Sequence, residues 1–303
     1  MISDKEIVCP NNLLDVAHKK KGVNAGIVNA GKPLPMLSVM DAVKEELIIP
    51  TFIGDKKEIE KCANDLKFDI SKFDIVNEPD ENSTAKAAAK LASKNKIKII
   101  VKGHIHTDVL MKEVIKKEYN LIGKTRLSHI WHMTLDKEDK PLIITDGALN
   151  VLPNVKTKMH ILKNVVNFSN RIGIEKPKVA VLSATEEVLD SVQSSLDAKE
   201  ITELALKEKI NADVFGPLAF DNSVSKKSAA IKGIKNLVAG QADVLLVPSV
   251  ETGNALVKMM IYFMGACAAG VVVGGKVPVV ITSRSDEASA RLASMAAAVV
   301  ALD

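Results

Sequence analysis

The chain has 303 residues, of which 47% are apolar, 26% are charged and 3% are aromatic. A net charge of +4 is small for a protein that binds polyanions, and so few aromatic residues argue against a base-stacking nucleic-acid surface. Cys9, Cys62 and Cys267 have neither disulfide nor zinc-ligand spacing, which is typical of reduced thiols and predicts a cytoplasmic protein.

The first ten residues lack a basic segment followed by an apolar core, so we expect no signal peptide. Residues 259–275 carry no charge, and a segment of this length is just long enough to span a membrane. Four glycines and a following Val-Pro-Val segment favour a buried helix that ends in a glycine turn instead.

Helices and strands alternate from residue 10 onwards. In the first half, apolar patterns predict strands at 23–28, 48–53, 73–76 and 97–101. They predict helices at 13–20, 38–46, 55–66, 84–93 (capped by Ser83) and 108–117. Residues 123–133 are expected to form a strand pair with loops. The connections are long enough for a parallel sheet.

A charged run at 134–140 marks the predicted domain boundary. Beyond it, the same patterns predict strands at 142–145, 179–182, 244–247 and 277–281. Helices are predicted at 156–172, from Thr185 onwards, on both sides of 213–221, after the loop that begins at 248, and up to residue 301. The sequence therefore predicts an α/β protein.

The last predicted strand is joined to the last helix by the polar turn 282-TSRSD-286. Two interpretations stay open. In one, Ser285 or Asp286 caps the helix and Arg284 lies in solvent. In the other, the helix start and the Arg284 guanidinium hold a phosphate, and Ser283 is a neutral donor beside the reacting centre.

Three other motifs carry weaker signals. In 251-ETGNALVK-258, Gly253 permits a tight turn and Asn254 can cap a helix or bind a ligand. The segment 270–277 nearly matches a phosphate loop but has Val277 where a hydroxyl would hold magnesium, so we interpret it as a strand. We expect surface or loop positions, and no metal site, for the histidines His104, His106, His129 and His132.

Four segments resemble the phosphate acetyltransferase and phosphate butyryltransferase family: 216–225, 228–258, 265–286 and 292–298. Their residues are more similar to the butyryl branch than to the acetyl branch. Looser matches lie at 102–114, 126–130 and 145–153. The resemblance implies reversible transfer of a short acyl group, acetyl to butyryl, between coenzyme A and inorganic phosphate. It implies no metal, no permanently bound cofactor, no nucleic acid, no membrane, and a homodimer.

The resemblance also implies two α/β domains with a cleft between them, similar to the isocitrate/isopropylmalate dehydrogenase-like fold. Domain I would comprise 1–135 and 271–303, and domain II would be the inserted 136–270.

Carried over by position, the resemblance implies three catalytic residues. Asp286 would be the base for the coenzyme A thiol, Arg284 would hold the acyl phosphate, and Ser283 would stabilise charge at the carbonyl. The residues that would bind substrate or coenzyme A are Lys102, Thr107, Arg126, Gly253, Asn254 and Ser285. Proton transfer from a free thiol to an ordinary aspartate is uphill by ~4–5 pKa units, or ~6 kcal/mol. Asp286 must therefore be buried, or the proton must move as the carbonyl is attacked.

Two alternatives remain open. One is a non-catalytic member that binds acyl-CoA or serves as a subunit of a larger assembly. The other is a metal-dependent decarboxylating dehydrogenase on the same architecture, although the sequence has no G-x-G-x-x-G motif and no cluster of aspartates for its metal.

Overall fold

The computed structural model describes residues 2–137, 140–282 and 286–302. Internal contacts divide the chain into two compact units, each assembled from three segments. Unit 1 comprises Met1–Glu6, Thr125–Leu135 and Asp139–Ala268. Unit 2 comprises Ile7–Lys124, Asp136–Glu138 and Ala269–Asp303.

Strands and helices alternate along most of the chain, as expected of an α/β protein. The strands are β1 Val23–Val28, β2 Ile48–Gly54, β3 Ile75–Asn77, β4 Ile99–Lys102, β5 Ser128–Thr134, β6 Leu142–Thr145, β7 Lys178–Leu182, β8 Asp213–Leu218, β9 Val244–Leu246, β10 Cys267–Val273 and β11 Val279–Val280. The α-helices are α1 Asn11–Ala17, α2 Pro33–Lys44, α3 Lys56–Asp65, α4 Glu81–Ser93, α5 Thr107–Val114, α6 Val155–Arg171, α7 Gln193–Lys207, α8 Phe220–Val224, α9 Lys226–Ile231, α10 Val250–Met264 and α11 Ala288–Ala301.

In unit 2 the strands lie in the order β3-β2-β1-β4-β11-β10. All are parallel to their neighbours except β10, which is antiparallel to β11. The chain moves outwards from β1 through β2 to β3 and then returns to the other side of β1 to form β4. Because these crossovers run in opposite directions, a topological switch point, where α/β sheets form a crevice at their carboxyl edge, lies between β1 and β4.

In unit 1 the order is β5-β6-β9-β7-β8, with β5 antiparallel to β6 and the other pairs parallel. Here the chain moves outwards to β8 and returns to place β9 beside β6. The reversal places the corresponding switch point of unit 1 at the carboxyl ends of β6 and β9. The core on one side of this sheet contains buried aliphatic residues of the central strands, such as Ile144 and Leu245, together with Val257 from α10.

Several predicted elements match closely, and others were wrong. Strands 23–28 and 142–145 are confirmed to the residue. No helix begins at Thr185: residues 183–192 form turns, in which the Ser195 hydroxyl bonds to both the N–H and the carbonyl of Leu189. Such local side-chain bonds compete with helix formation. Residues 123–133 do not form a strand pair, because only β5 is present there.

The predicted caps were also wrong. Asp80, not Ser83, caps α4, and Ser83 closes a capping box by bonding back to Asp80. The helix after 248 is capped by Ser249, so Asn254 is not its cap and Gly253 lies within it.

The uncharged stretch 259–275 does contain the expected glycine turn, since Gly265 ends α10 with φ +65°. The helix is not buried, however: Met259 and Phe263 are exposed. Residues 270–273 belong to β10, which confirms the strand interpretation over a phosphate loop. No helix within the described residues is long and apolar enough to cross a membrane.

Candidate functional site

In unit 2, the carboxyl ends of β4 and β11 bring together residues from opposite ends of the sequence. Val280 pairs with Val101, so Lys102 leaves the sheet one residue after this pair and Thr282 two residues after it. Lys102 and Thr282 are both buried, at 8% exposure each.

Arg291, on the first turn of α11, joins this group. It is 4% exposed, and its Nη1 donates to the Thr282 hydroxyl at 3.0 Å, while Nε donates to the backbone oxygen of Asp286 at 3.0 Å. Burial lowers the pKa of Arg291, and the Asp286 carboxylate opposes that change. Arg291 therefore fixes both flanks of residues 283–285. The predicted catalytic residues Ser283 and Arg284, and Ser285 with them, lie outside the described residues.

A cavity of about 10 Å³ lies between these side chains and is lined by Ser38, Lys102, Thr282, Arg291 and apolar neighbours. That volume corresponds to about one water molecule. The cavity is therefore too small for a phosphate or a thioester, and it does not itself form the substrate site.

The loops after β1 and β4 are bonded to each other at the crevice of unit 2. The Asn29 amide donates to the His104 carbonyl at 2.6 Å, and the Gly103 N–H donates to the Val28 carbonyl at 2.8 Å. A Cβ on Gly103 would lie 2.5 Å from the Val28 and Asn29 oxygens, so only glycine permits this approach. Thr107, another predicted binding residue, begins α5 beyond this loop and is exposed.

In unit 1, the crevice between β6 and β9 contains two of the predicted residues. Gly147, just after β6, meets Gly253 on the first turn of α10, and a Cβ on Gly253 would lie 2.6 Å from the Gly147 Cα. The side chain of Asn254 is directed to the Gly147 carbonyl at 3.5 Å. Gly253 is therefore required because two backbone segments of unit 1 pack closely there. The sequence had suggested a tight turn instead, and the structure shows a helix.

Asp146, which the sequence did not single out, organises the loop after β6. Its carboxylate is 2% exposed and accepts from the N–H groups of His129, Ala148 and Leu149 at 2.9–3.1 Å, and from the Asn150 amide at 2.6 Å. These donors occupy its lone pairs. Asp146 is thus an anchor for the loop rather than a base. In the sequence, the Asp-Gly pair directly after a predicted strand is the feature that could have indicated this ordered loop.

Arg126, predicted to bind coenzyme A, has an exposed side chain whose Nη1 donates to the Thr157 hydroxyl at 3.0 Å. The backbone around it is bonded to two asparagines. Asn150 donates to the Leu127 carbonyl at 2.9 Å, and Asn164 donates to the Arg126 carbonyl at 2.8 Å. The sequence identified neither asparagine.

The histidine prediction was half right. His104 and His106 are exposed, but His129 and His132 are buried within β5. Burial lowers the pKa of His132 to about 4. Burial also lowers the pKa of His129, although the Asp146 carboxylate opposes the shift. Both rings are therefore neutral at physiological pH.

Two of the cysteines have poor chemistry for a nucleophile. Burial raises the pKa of the Cys9 thiol to about 12, and burial likewise raises the pKa of Cys62. A thiol with a raised pKa is rarely ionised near neutral pH. Within residues 2–137, 140–282 and 286–302, no group of three or more His, Cys, Asp or Glu side chains is arranged to hold a metal ion.

Comparison with known families identifies the class of protein. A family model described as "Phosphate acetyl/butaryl transferase" matches residues 80–299, which is more than half of the chain. The chain therefore belongs to the phosphate acetyl/butaryl transferase family.

Individual relatives agree with this assignment along nearly the whole chain. A phosphate acetyltransferase of Rickettsia typhi is 37% identical, over 93% of this chain and 82% of its own length. A phosphate butyryltransferase of Clostridium acetobutylicum is 37% identical, over 92% of this chain and 94% of its own. The crystal structure of a branched-chain phosphotransacylase from Enterococcus faecalis V583 superposes with a TM-score of 0.82 at 32% identity, over 92% of this chain and 98% of that one.

A more distant likeness concerns the fold alone. The structure of 4-hydroxythreonine-4-phosphate dehydrogenase from Klebsiella pneumoniae superposes with a TM-score of 0.56 at 9% identity, over 92% of this chain and 99% of that one.

Proposed function

We propose that this chain is an acyltransferase that moves a short acyl group, acetyl to butyryl, reversibly between coenzyme A and inorganic phosphate. An oxygen of phosphate attacks the thioester carbonyl, the C–S bond breaks, and the products are an acyl phosphate and free coenzyme A. Membership of the family, with near full-length coverage of both acetyl and butyryl relatives, carries this proposal. Coenzyme A acts as a substrate, and no resident cofactor or metal is invoked.

The catalytic roles proposed for this reaction are those that the family resemblance implies. Arg284 holds the phosphoryl group, Ser283 stabilises charge on the carbonyl oxygen, and Asp286 takes the thiol proton in the direction of acyl-CoA synthesis. Arg291, which bonds to Thr282 and to the backbone oxygen of Asp286 on the two flanks of 283–285, supports a fixed arrangement of these groups. Electrostatic groups fixed in advance are an effective way to stabilise developing charge.

An ordinary carboxylate is a far weaker base than a thiolate, so separate proton transfer from sulfur to Asp286 would be costly. The proton should therefore leave sulfur as the carbon–sulfur bond forms, rather than in a separate step.

Substrate binding is assigned to residues of both units. The phosphates of coenzyme A are proposed to meet Arg126 and Lys102, and the remaining contacts are proposed for Thr107, Gly253, Asn254 and Ser285. The Arg126 guanidinium is exposed and carries five N–H donors, one of which is hydrogen bonded to Thr157. The other four support a phosphate partner at this position.

We also propose that the domains, 1–135 with 271–303 and 136–270, face each other across a cleft, as in isocitrate and isopropylmalate dehydrogenases. The TM-score of 0.56 with a dehydrogenase supports a related fold. A homodimer is proposed through α10, where Ala255, Met259 and Phe263 form an exposed apolar stripe at helical spacing.

The decisive experiment measures release of free coenzyme A thiol from acetyl-, propionyl- and butyryl-CoA, with and without phosphate and with a chelator present. Phosphate-dependent release is expected, and the ranking of the three rates gives the acyl preference. Acetyl and butyryl differ by two methylenes, or about 1.6 kcal/mol when fully buried. No release from any of the three would overturn the proposal.

Arg284→Ala separates an enzyme from a silent acyl-CoA binder. In an enzyme, the variant should lose turnover by 100-fold or more, which corresponds to roughly 3 kcal/mol of transition-state stabilisation. A silent binder has no turnover to lose, so its Arg284→Ala variant would differ from the wild type only in acyl-CoA affinity measured by calorimetry.

A further inference from the structure

We propose that Asn164 is a positioning residue that holds Arg126 ready for a phosphate group of coenzyme A, with Thr157 fixing the guanidinium itself. This inference rests on the proposed function, in which Arg126 binds that phosphate. It assigns a role in substrate recognition to two residues of α6 that lie outside the catalytic segment.

The side chain of Asn164 makes three hydrogen bonds to the segment that carries Arg126. Its Nδ2 donates to the Arg126 carbonyl and to the Ser128 hydroxyl, both at 2.8 Å. Its Oδ1 accepts from the Thr125 hydroxyl at 2.6 Å. The carboxamide thus holds the residues before and after Arg126 as well as Arg126 itself.

Asn164 is 7% exposed and lies on the buried face of α6, among side chains such as Ile161, Val165 and Phe168. A buried amide without partners costs free energy, so an asparagine is tolerated there only because the 125–128 segment satisfies it. The buried amide of Asn164 is therefore explained by its hydrogen bonds to residues 125–128.

Thr157 lies seven residues earlier on the same helix, which places it on the same face two turns away. Its hydroxyl accepts from Arg126 Nη1 at 3.0 Å. One rigid helix thus fixes both the backbone and the guanidinium of Arg126. The other N–H groups of the guanidinium can still face a phosphate, because an arginine carries five donors.

Side-chain freedom decides how tightly an exposed arginine can hold a phosphate. Arg126 is exposed, and an unrestrained arginine loses up to ~2 kcal/mol of rotamer entropy when it is fixed by a ligand. The Thr157 hydroxyl restrains the side chain before binding, which reduces that loss and strengthens binding of the phosphate. Asn164 holds the backbone from which this side chain extends, so removing Asn164 should shift Arg126 away from Thr157 and weaken recognition of phosphate-bearing substrates selectively.

The test compares two acyl acceptors, coenzyme A and pantetheine, with butyryl phosphate as the donor. Pantetheine has the same reactive thiol but no phosphate group. In Asn164→Leu, kcat/KM with coenzyme A should fall by about 10-fold, and kcat/KM with pantetheine should stay within about twofold of wild type. The KM for butyryl phosphate should not change.

Asn170→Leu is the matched control, because Asn170 lies at the far end of the same helix and donates to the carbonyls of Ile174 and Glu175. Its loss removes two side-chain amide hydrogen bonds from α6 but leaves Arg126 untouched. The ratio of the two acceptors should therefore equal that of wild type. Thr157→Val is a milder second variant, expected to lower the ratio by about threefold.

An equal fall with both acceptors in Asn164→Leu would assign Asn164 a structural role only and overturn the inference. An unchanged ratio in Arg126→Ala would overturn it as well, because Arg126 would then bind no phosphate of coenzyme A. Neither result affects the proposed reaction, which stands or falls on wild-type turnover. If pantetheine turns over too slowly, the dissociation constant of coenzyme A from calorimetry serves instead, with a 10-fold weakening expected in Asn164→Leu and none in Asn170→Leu.

Discussion

Gly253 on α10 meets Gly147 after β6 backbone to backbone, with only 2.6 Å between the position of a Gly253 Cβ and the Gly147 Cα. In an ordinary helix, glycine to alanine gains up to about 1 kcal/mol. Here the added methyl group would force the β6 loop and the helix apart. The local packing therefore reverses the usual sign of the substitution.

We accordingly expect Gly253→Ala to lower the free energy of unfolding by about 1–3 kcal/mol, measured by urea denaturation. Ala230→Ser, at an exposed position of α9, is the control and should change it by less than about 0.5 kcal/mol. An alanine variant as stable as wild type would show that the two backbones can separate freely.

The buried His132 should make the protein less stable in mild acid. Its pKa is about 4 in the folded chain and 6.5 in the ordinary state, so the unfolded chain binds more protons between those values. The contribution of the neutral ring is complete above pH 6.5 and is lost as the pH falls towards 4. The loss amounts to about 3 kcal/mol.

His132→Leu should therefore reduce the slope of unfolding free energy against pH between 6.5 and 4, and the buried His129 supplies the slope that remains. Thr134→Val, two residues along the same buried strand, changes the packing without removing a titrating group and should leave that slope as in wild type. Parallel curves for wild type and His132→Leu would contradict the prediction.

A buried ion pair joins α6 to α7. The ammonium of Lys158 lies 2.7 Å from an Asp197 carboxylate oxygen, and the two side chains are 4% and 14% exposed. Removing one partner leaves an uncompensated buried charge, so Lys158→Met should cost about 3 kcal/mol of unfolding free energy. The double variant with Asp197→Leu should recover most of that loss.

The same two elements offer an exposed pair as a control. Lys163 and Glu208 are 40% and 38% exposed and approach to 2.7 Å. Solvent screens them, so Lys163→Ala should cost less than about 1 kcal/mol. Equal costs for the buried and exposed lysines in urea denaturation would argue against a role for desolvation.

The apolar stripe of α10 predicts self-association. Phe263 is 60% exposed at the C-terminal end of this stripe, and Phe263→Asp should convert the proposed homodimer to monomers in light scattering, because a buried charge at an interface is costly. Leu206→Asp is the control: Leu206 is 83% exposed on α7 and should not affect the oligomeric state. A wild-type monomer would exclude this interface.

Periodicity predicted most strands because aliphatic runs such as Leu142–Thr145 are buried on both faces of a parallel sheet and permit little else. It failed where partners are distant in sequence. The bonds of Asn164 reach Thr125 and Ser128, 39 and 36 residues earlier, and no local pattern encodes them. Helix burial failed for a similar reason: the apolar residues Met259 and Phe263 resemble core residues until the packing of α10 is known.

The candidate site was predictable only through resemblance. The turn 282–286 was equally compatible with a helix cap, and nothing local to it indicates that Arg291 bonds to both Thr282 and Asp286. The roles assigned to Ser283, Arg284 and Asp286 stay predictions, as do those of the binding residues and the domain limits.

The position of β11 beside β4 has a consequence for synthesis of the protein. On the ribosome, β4 is complete long before its neighbour, since Lys102 emerges well ahead of Val279. At a translation rate of ~5–20 residues per second, one edge of β4, a strand that is fully buried in the folded protein, stays without its neighbouring strand for roughly ten to thirty seconds. The nascent chain thus exposes an open strand edge until its last helix is nearly made, and translation speed or chaperone supply should affect the yield of folded protein.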